Sequence, residues 1–126
     1  MQQRNSGPIV CDLTQIPADR RDRLFQLLGT TFSRARALRT LAEGFAIQFP
    51  SEHGIVASLG EIVEYDRRCC PFIRHAVTDE PWGGPIRLEL TGPPEVREFL
   101  AAELRRVLPP GLAFPAPTDP SASIAK

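Results

Sequence analysis

The segment "RRDRLFQLLGTTF" (20–32) sets Leu24, Leu27, Leu28 and Phe32 near a spacing of about 3.6 residues, which predicts a helix with one apolar face. Pro17 and Asp19 suit its first turn. Ahead of it, "PIVCDL" (8–13) is β-rich and predicts a short strand. The stretch "ARALRTLAEGFAIQFP" (35–50) admits either a prolonged helix or two strands turning at "AEG", and the alternation in "FAIQF" favours the hairpin. From Ser51, a natural N-cap, a second helix is expected to run to about Cys69, because Pro71 pushes Cys70 out of helical geometry. The strands "FIRHAV" (72–77) and "PIRLELTG" (85–92) follow, joined across the Gly- and Pro-rich "DEPWGGP" as an antiparallel hairpin. A last helix is marked by the prolines of "GPPEVREFLAAELRRVL", by Glu95 in its first turn and by Val96, Phe99, Leu100, Leu104 and Val107 on one face.

This pattern predicts an α+β fold, a largely antiparallel sheet of four to five strands covered by three helices. Residues 1–108 form one domain in this reading. The Pro-, Ala- and Ser-rich stretch 109–126 shows little periodicity and reads as a disordered C-terminal tail.

Charge narrows the choice of partner. Fifteen basic and fifteen acidic side chains cancel, so the basic footprint of a nucleic-acid binder is missing and no nucleic acid is expected. No apolar run approaches the roughly 20 residues needed to span a bilayer, and the opening residues lack the apolar core of a signal peptide. The expectation is a cytoplasmic protein without membrane association. In such a reducing setting three cysteines point to free thiols, soft-ion ligands or redox groups, and a structural disulfide is not expected.

Chemistry concentrates in "VEYDRRCCPF" (63–72). At about 100° per residue, Ile55, Leu59, Ile62 and Val63 fall in one stripe, while Glu61, Glu64 and Arg68 lie outside it. Asp66 falls within the stripe, three residues before Cys69, so its carboxylate should stand at the core edge beside the cysteines. A carboxylate so placed needs a partner. Candidates are an arginine (Arg36, Arg39, Arg87 or Arg67), backbone amides or water, or a metal shared with thiolates. His75, on a strand, reads as a surface or cross-strand residue, and neither it nor His53 has a spacing that identifies a base for a Cys/His pair.

Cys69 and Cys70 lie at a helix C-terminus, where the dipole disfavours a thiolate and Arg67 and Arg68 offset it only in part. Adjacent cysteines do not form a C-x-x-C redox pair either. The plain reading is that they pack as small hydrophobes. The sharper one adds Cys11: if the first strand runs beside the end of the second helix, Cys11, Cys69 and Cys70 make a three-thiolate set with Asp66 near it. Such a set selects zinc, copper(I), mercury(II) or arsenic(III).

The segments "IVCDLTQIPADRRDR", "EGFAIQFP", "EYDRRCCPFIRHAV" and "GGPIRLELTGPPEVREFL" together resemble a family of small bacterial proteins that carries no assigned function. Its members show a "CDLTAL" opening, a "DGYAFRFP" strand, an "ERRCCPF" helix end and an "LxLTGxxGVKEFL" close. The resemblance spans residues 9–104. By position it carries over Cys11, Asp66, Arg67, Cys69, Cys70, Pro71, Phe72, Gly92 and Phe99, and it implies that the three thiols act as one constellation. Asp66 stands where the family pattern has glutamate, which draws the carboxylate closer to the helix; Pro94 is a second departure, at the entry to the last helix.

The function expected from these residues is the binding of a soft metal or metalloid ion, zinc or another thiophilic ion, or the sensing of thiol oxidation. Cys11, Cys69, Cys70 and Asp66 are the ligand candidates, and Arg67, Pro71 and Phe72 are supporting residues. The rival is a non-catalytic interaction or dimerisation module, a homodimer for instance, with buried cysteines. Trp82 would be its exposed anchor, although an aromatic capping the sheet is the commoner role. Enzymatic use of a cysteine nucleophile is not indicated, because no base or oxyanion motif is recognisable and no catalytic residue can be assigned.

Overall fold

The computed structural model describes residues 11–112. Among these, three helices, α1 (Ala18–Phe32), α2 (Ile55–Cys69) and α3 (Pro94–Val107), cover a four-stranded antiparallel sheet of β1 (Ala37–Leu41), β2 (Gly44–Phe49), β3 (Arg74–Asp79) and β4 (Ile86–Thr91), in the order β1-β2-β4-β3. The α+β architecture is therefore the one the patterning predicts.

Register explains the layering. Phe45 pairs with Leu90, Ile47 with Leu88 and Phe49 with Ile86, so alternate residues of the two central strands share one face, and all six are buried. On α1, Leu24, Leu27 and Phe32 meet that face, Phe32 lying edge-on to Phe49 with ring centroids 5.7 Å apart. On α2 the buried residues are Ile55, Leu59, Ile62 and Cys69, and on α3 Val96, Leu100 and Leu104, the positions their periodicity assigns inward. The opposite face alternates to Arg39, Arg74, Arg87 and Glu89, whose charges favour water.

The 36–49 segment forms the hairpin. Its turn is the two residues Ala42 and Glu43, and Gly44, which opens β2, lies so close to the Leu90 carbonyl of β4 that there is no room for a Cβ. The hairpin of β3 and β4 also forms as expected. At its tip Trp82 adopts φ 61° and is fully exposed, so it does not cap the sheet.

Two boundaries differ from expectation. Ser51 is not the N-cap of α2: residues 51–54 turn first, with the Glu52 amide donating to the Pro50 carbonyl, and Gly54 at φ 92° starts the helix. Glu52 is instead held by Arg34 in an ion pair across the loop. At the other end, Cys11 and Asp12 are not in a strand and Leu13–Gln15 is a single 3-10 turn capped by the Asp12 side chain; the rest of the expected first strand lies outside the described residues. Beyond α3, residues 109–112 turn back with the Leu112 amide donating to the Pro109 carbonyl, and Leu112 packs on the core. The remaining tail lies outside the described residues. No helix among the described residues is long and apolar enough to cross a membrane.

Candidate functional site

The site forms where the chain before α1 meets the end of α2. Helical bonding stops at Cys70, whose amide still donates to the Asp66 carbonyl at 2.7 Å but whose backbone (φ −128°, ψ 68°) has left the helix ahead of Pro71. The N-terminal segment is laid against this end by the Asp12 amide donating to the Cys69 carbonyl at 2.9 Å. Arg21 Nε donates to the Leu13 and Ile16 carbonyls, both at 3.0 Å, and Ile16 is wholly buried, so the segment is pinned on both sides of its turn.

Cys11 thereby reaches the cysteine pair, and the convergence assumed from the sequence is present. One ligand atom each from Cys11, Asp66, Cys69 and Cys70 lie within 4.8 Å of one another. The expectation of free thiols fails for two of them, because Cys11 and Cys70 are joined as a disulfide. Cys11 is 59 positions from Cys70 in sequence and only 4.8 Å from it in Cα separation, a proximity that no cysteine count encodes. Cys69 remains a free, buried thiol with its Sγ 3.6 Å from that of Cys70.

Burial, reinforced by the neighbouring Asp66 charge, pushes the Cys69 thiol up to about 11. It is protonated at neutral pH and is no activated nucleophile. Its Sγ lies 3.8 Å from the Asp66 carbonyl oxygen and 4.0 Å from Asp66 Oδ1, the geometry of a weak thiol donor.

Asp66 does need a partner, and none of the arginines named from the sequence supplies it. His75 does: its Nε2 lies 2.7 Å from Asp66 Oδ2, with the histidine side chain 7% and the aspartate side chain 27% exposed. His75 is opposite Leu90 in the sheet register and so shares the core-facing side of β3, under the end of α2. It is a site residue that sequence reasoning missed. The available signal was its parity with Val77 on a strand next to a helix end bearing an unpartnered carboxylate.

Arg67 is not brought to the site. It is exposed on α2, within 4.0 Å of Glu64. Pro71 ends the helix, and Phe72 packs edge-on against Phe99 with centroids 5.3 Å apart, while its carbonyl lies so close to Gly92 that a side chain there would crowd it.

Beside the disulfide lies a pocket of about 90 Å³ between the helices and the sheet, partly open to solvent. Its walls are mainly apolar, with Phe32, Leu88, Phe99 and Leu104 among them, and the polar groups at it are those of Asp66, His75 and Glu103. Cys11 and Cys70 face this space and Cys69 does not.

The donor set suits a soft ion once the disulfide is opened. Thiolates bound to one zinc at about 2.3 Å stand roughly 3.8 Å from each other in a tetrahedron. The 3.6 Å between Cys69 and Cys70 already matches that spacing. In the oxidised state the sulfurs of Cys11 and Cys70 are bonded to each other and are not thiolate ligands. Comparisons with protein-family models, with curated proteins and with solved structures gave no match for this chain.

Proposed function

We propose that the protein is a redox-gated site for a thiophilic metal or metalloid ion. The carrying observation is that three cysteine sulfurs and the Asp66 carboxylate converge within 4.8 Å while two of those sulfurs are closed as a disulfide. Reduction supplies two electrons and two protons to the Cys11–Cys70 bond and yields three thiols at one place. A soft ion then displaces their protons, with Asp66, oriented by His75, beside the thiolates. Oxidation closes the site. A cytoplasmic setting fits this reading, since a reducing compartment keeps it open.

Native mass spectrometry of the full chain with zinc and with arsenite tests it. The reduced protein is expected to carry one ion that Cys69→Ala weakens, and the oxidised protein none. A reduced protein that stays bare with both ions sinks the proposal and leaves the cysteines a packing and cross-linking role.

A second reading, an interaction or dimerisation module, is favoured by Trp82, which presents its whole side chain to solvent from a loop held in a positive-φ turn. It predicts a concentration-dependent mass in sedimentation that Trp82→Ala abolishes. A monomer at all concentrations argues against self-association through this loop.

A further inference from the structure

We infer that the ion taken by this site carries one short alkyl group, which fills the cavity while Cys11 and Cys70 hold the ion; the ligand class is a monoalkylated trivalent metalloid such as methylarsenic(III). This rests on the thiophilic-site reading and names its ligand.

The cavity supplies the first reason. A bare ion needs donor atoms and gains nothing from the apolar walls that make up most of this pocket. The pocket is partly open to solvent, so apolar walls covering about 90 Å³ of it stay wet until an apolar group takes the place of that water. Its position directly beside a pair of metal-binding sulfurs is accounted for by a ligand with an apolar part and a thiophilic part.

Donor count supplies the second. Inorganic arsenic(III) takes three thiolates, whereas a monoalkyl arsenic(III) already has one carbon bond and takes two. The sulfurs facing the cavity are two, Cys11 and Cys70, and Cys69 stands outside it. Size then limits the alkyl group. An engineered apolar cavity of about 150 Å³ holds benzene. One of about 90 Å³ suits methyl to propyl groups and not phenyl.

The binding step balances without redox change at arsenic. After a phosphine or dithiol reductant has opened the disulfide, CH3As(OH)2 reacts with the two thiols. Two As–S bonds form, two As–O bonds break, and the thiol protons leave with the hydroxyl groups as two waters.

The test uses the reduced full chain in a phosphine, which adds no competing thiol, with arsenite and with methyl-, ethyl-, propyl- and phenylarsonous acids, read by native mass spectrometry and calorimetry. Affinity is expected to rise by about fourfold for each alkyl carbon from methyl to propyl, and to fall for phenyl. Cys69→Ala should shift the preference from arsenite toward the methyl compound by roughly tenfold or more, since only arsenite loses a ligand. Val107→Phe, which fills the cavity from α3, should flatten the alkyl series and keeps the test available if the cysteine variant does not fold. Arsenite binding with a flat alkyl series in the unmutated protein, or with Cys69→Ala weakening both ligands equally, overturns this inference and leaves the three-thiol reading standing. No binding of either ligand class overturns both.

Discussion

Opening the Cys11–Cys70 disulfide should lower stability by an amount that follows from where its ends lie. The bond closes a loop across 59 positions. The chain-entropy relation assigns a loop of that size roughly 14 cal/mol/K, or about 4 kcal/mol at 25 °C, of constraint on the unfolded chain. Little should offset this in the folded state. The Asp12 amide still reaches the Cys69 carbonyl, Arg21 still bonds the Leu13 and Ile16 carbonyls, and Ile16 stays buried, so Cys11 remains beside Cys70 after reduction. With a urea slope of about 1.5 kcal/mol/M, reduction should move the unfolding midpoint down by roughly 2 to 3 M. Far-UV circular dichroism is the assay of choice, because Trp82 is fully exposed in the folded protein and its fluorescence would change little on unfolding. Cys11→Ala should match the reduced protein under oxidising conditions, and Cys69→Ala should keep the full redox shift. Adding a bound ion to the reduced protein recloses the same loop through Cys11 and Cys70 and should recover much of the loss. A redox shift under about 0.5 M would refute the reasoning, since the bond would then be absent in solution or offset by strain on the folded chain.

Three further outcomes are expected. Because burial raises the Cys69 thiol to about 11 from an unfolded value of 9.0, the protonated form favours folding, and its contribution is complete below pH 9 and lost as pH climbs through 11. Allowing for screening beside the cavity, this is roughly 1 to 2 kcal/mol; it should appear as a steeper alkaline loss of stability than in Cys69→Ala, and parallel curves would contradict it. His75→Phe should cost about 1 to 3 kcal/mol by stranding the Asp66 carboxylate, and adding Asp66→Leu should return part of it in a double-mutant cycle, whereas additive losses would deny the coupling. Gly44→Ala should cost more than about 3 kcal/mol or abolish folding, because the new methyl meets the Leu90 carbonyl within the β2–β4 pairing, and a near-neutral result by thermal denaturation would mean that the central register is wrong.

The parts of the fold legible in the sequence are those fixed by short-range geometry. The inward stripe of α2, Ile55, Leu59 and Ile62, follows from helical periodicity, and Pro71 sets its end at Cys69. The strand parity of Phe45, Ile47 and Phe49 follows from alternation. Ser51 misled because a good capping residue near a helix start competes with the local turn, and here the Pro50–Glu52 turn and the left-handed Gly54 decide where the helix begins. The carboxylate problem at Asp66 was legible as well, since its angle on the helix wheel puts it at the core edge. Its solution was not. His75 reaches Asp66 because β3 lies at the sheet edge under the end of α2, and that depends on the strand order β1-β2-β4-β3, which no local pattern encodes.

The disulfide belongs to the same class of information. Cys69 and Cys70 are neighbours in sequence, yet it is Cys70 that is joined to Cys11 while Cys69 is buried with its thiol directed at Asp66. Leaving the helix at Cys70 is what separates the two fates: the residue still inside the last turn keeps its side chain on the apolar stripe, and the residue released by Pro71 points across to the incoming N-terminal segment. Side-by-side cysteines in "RRCCPF" are therefore two buried positions with different jobs, one a free thiol held protonated and one bonded to Cys11 beside the pocket. After reduction a thiol probe should modify the half-buried Cys11 first and the buried Cys69 slowly, and equal rates would count against a protonated, interior Cys69.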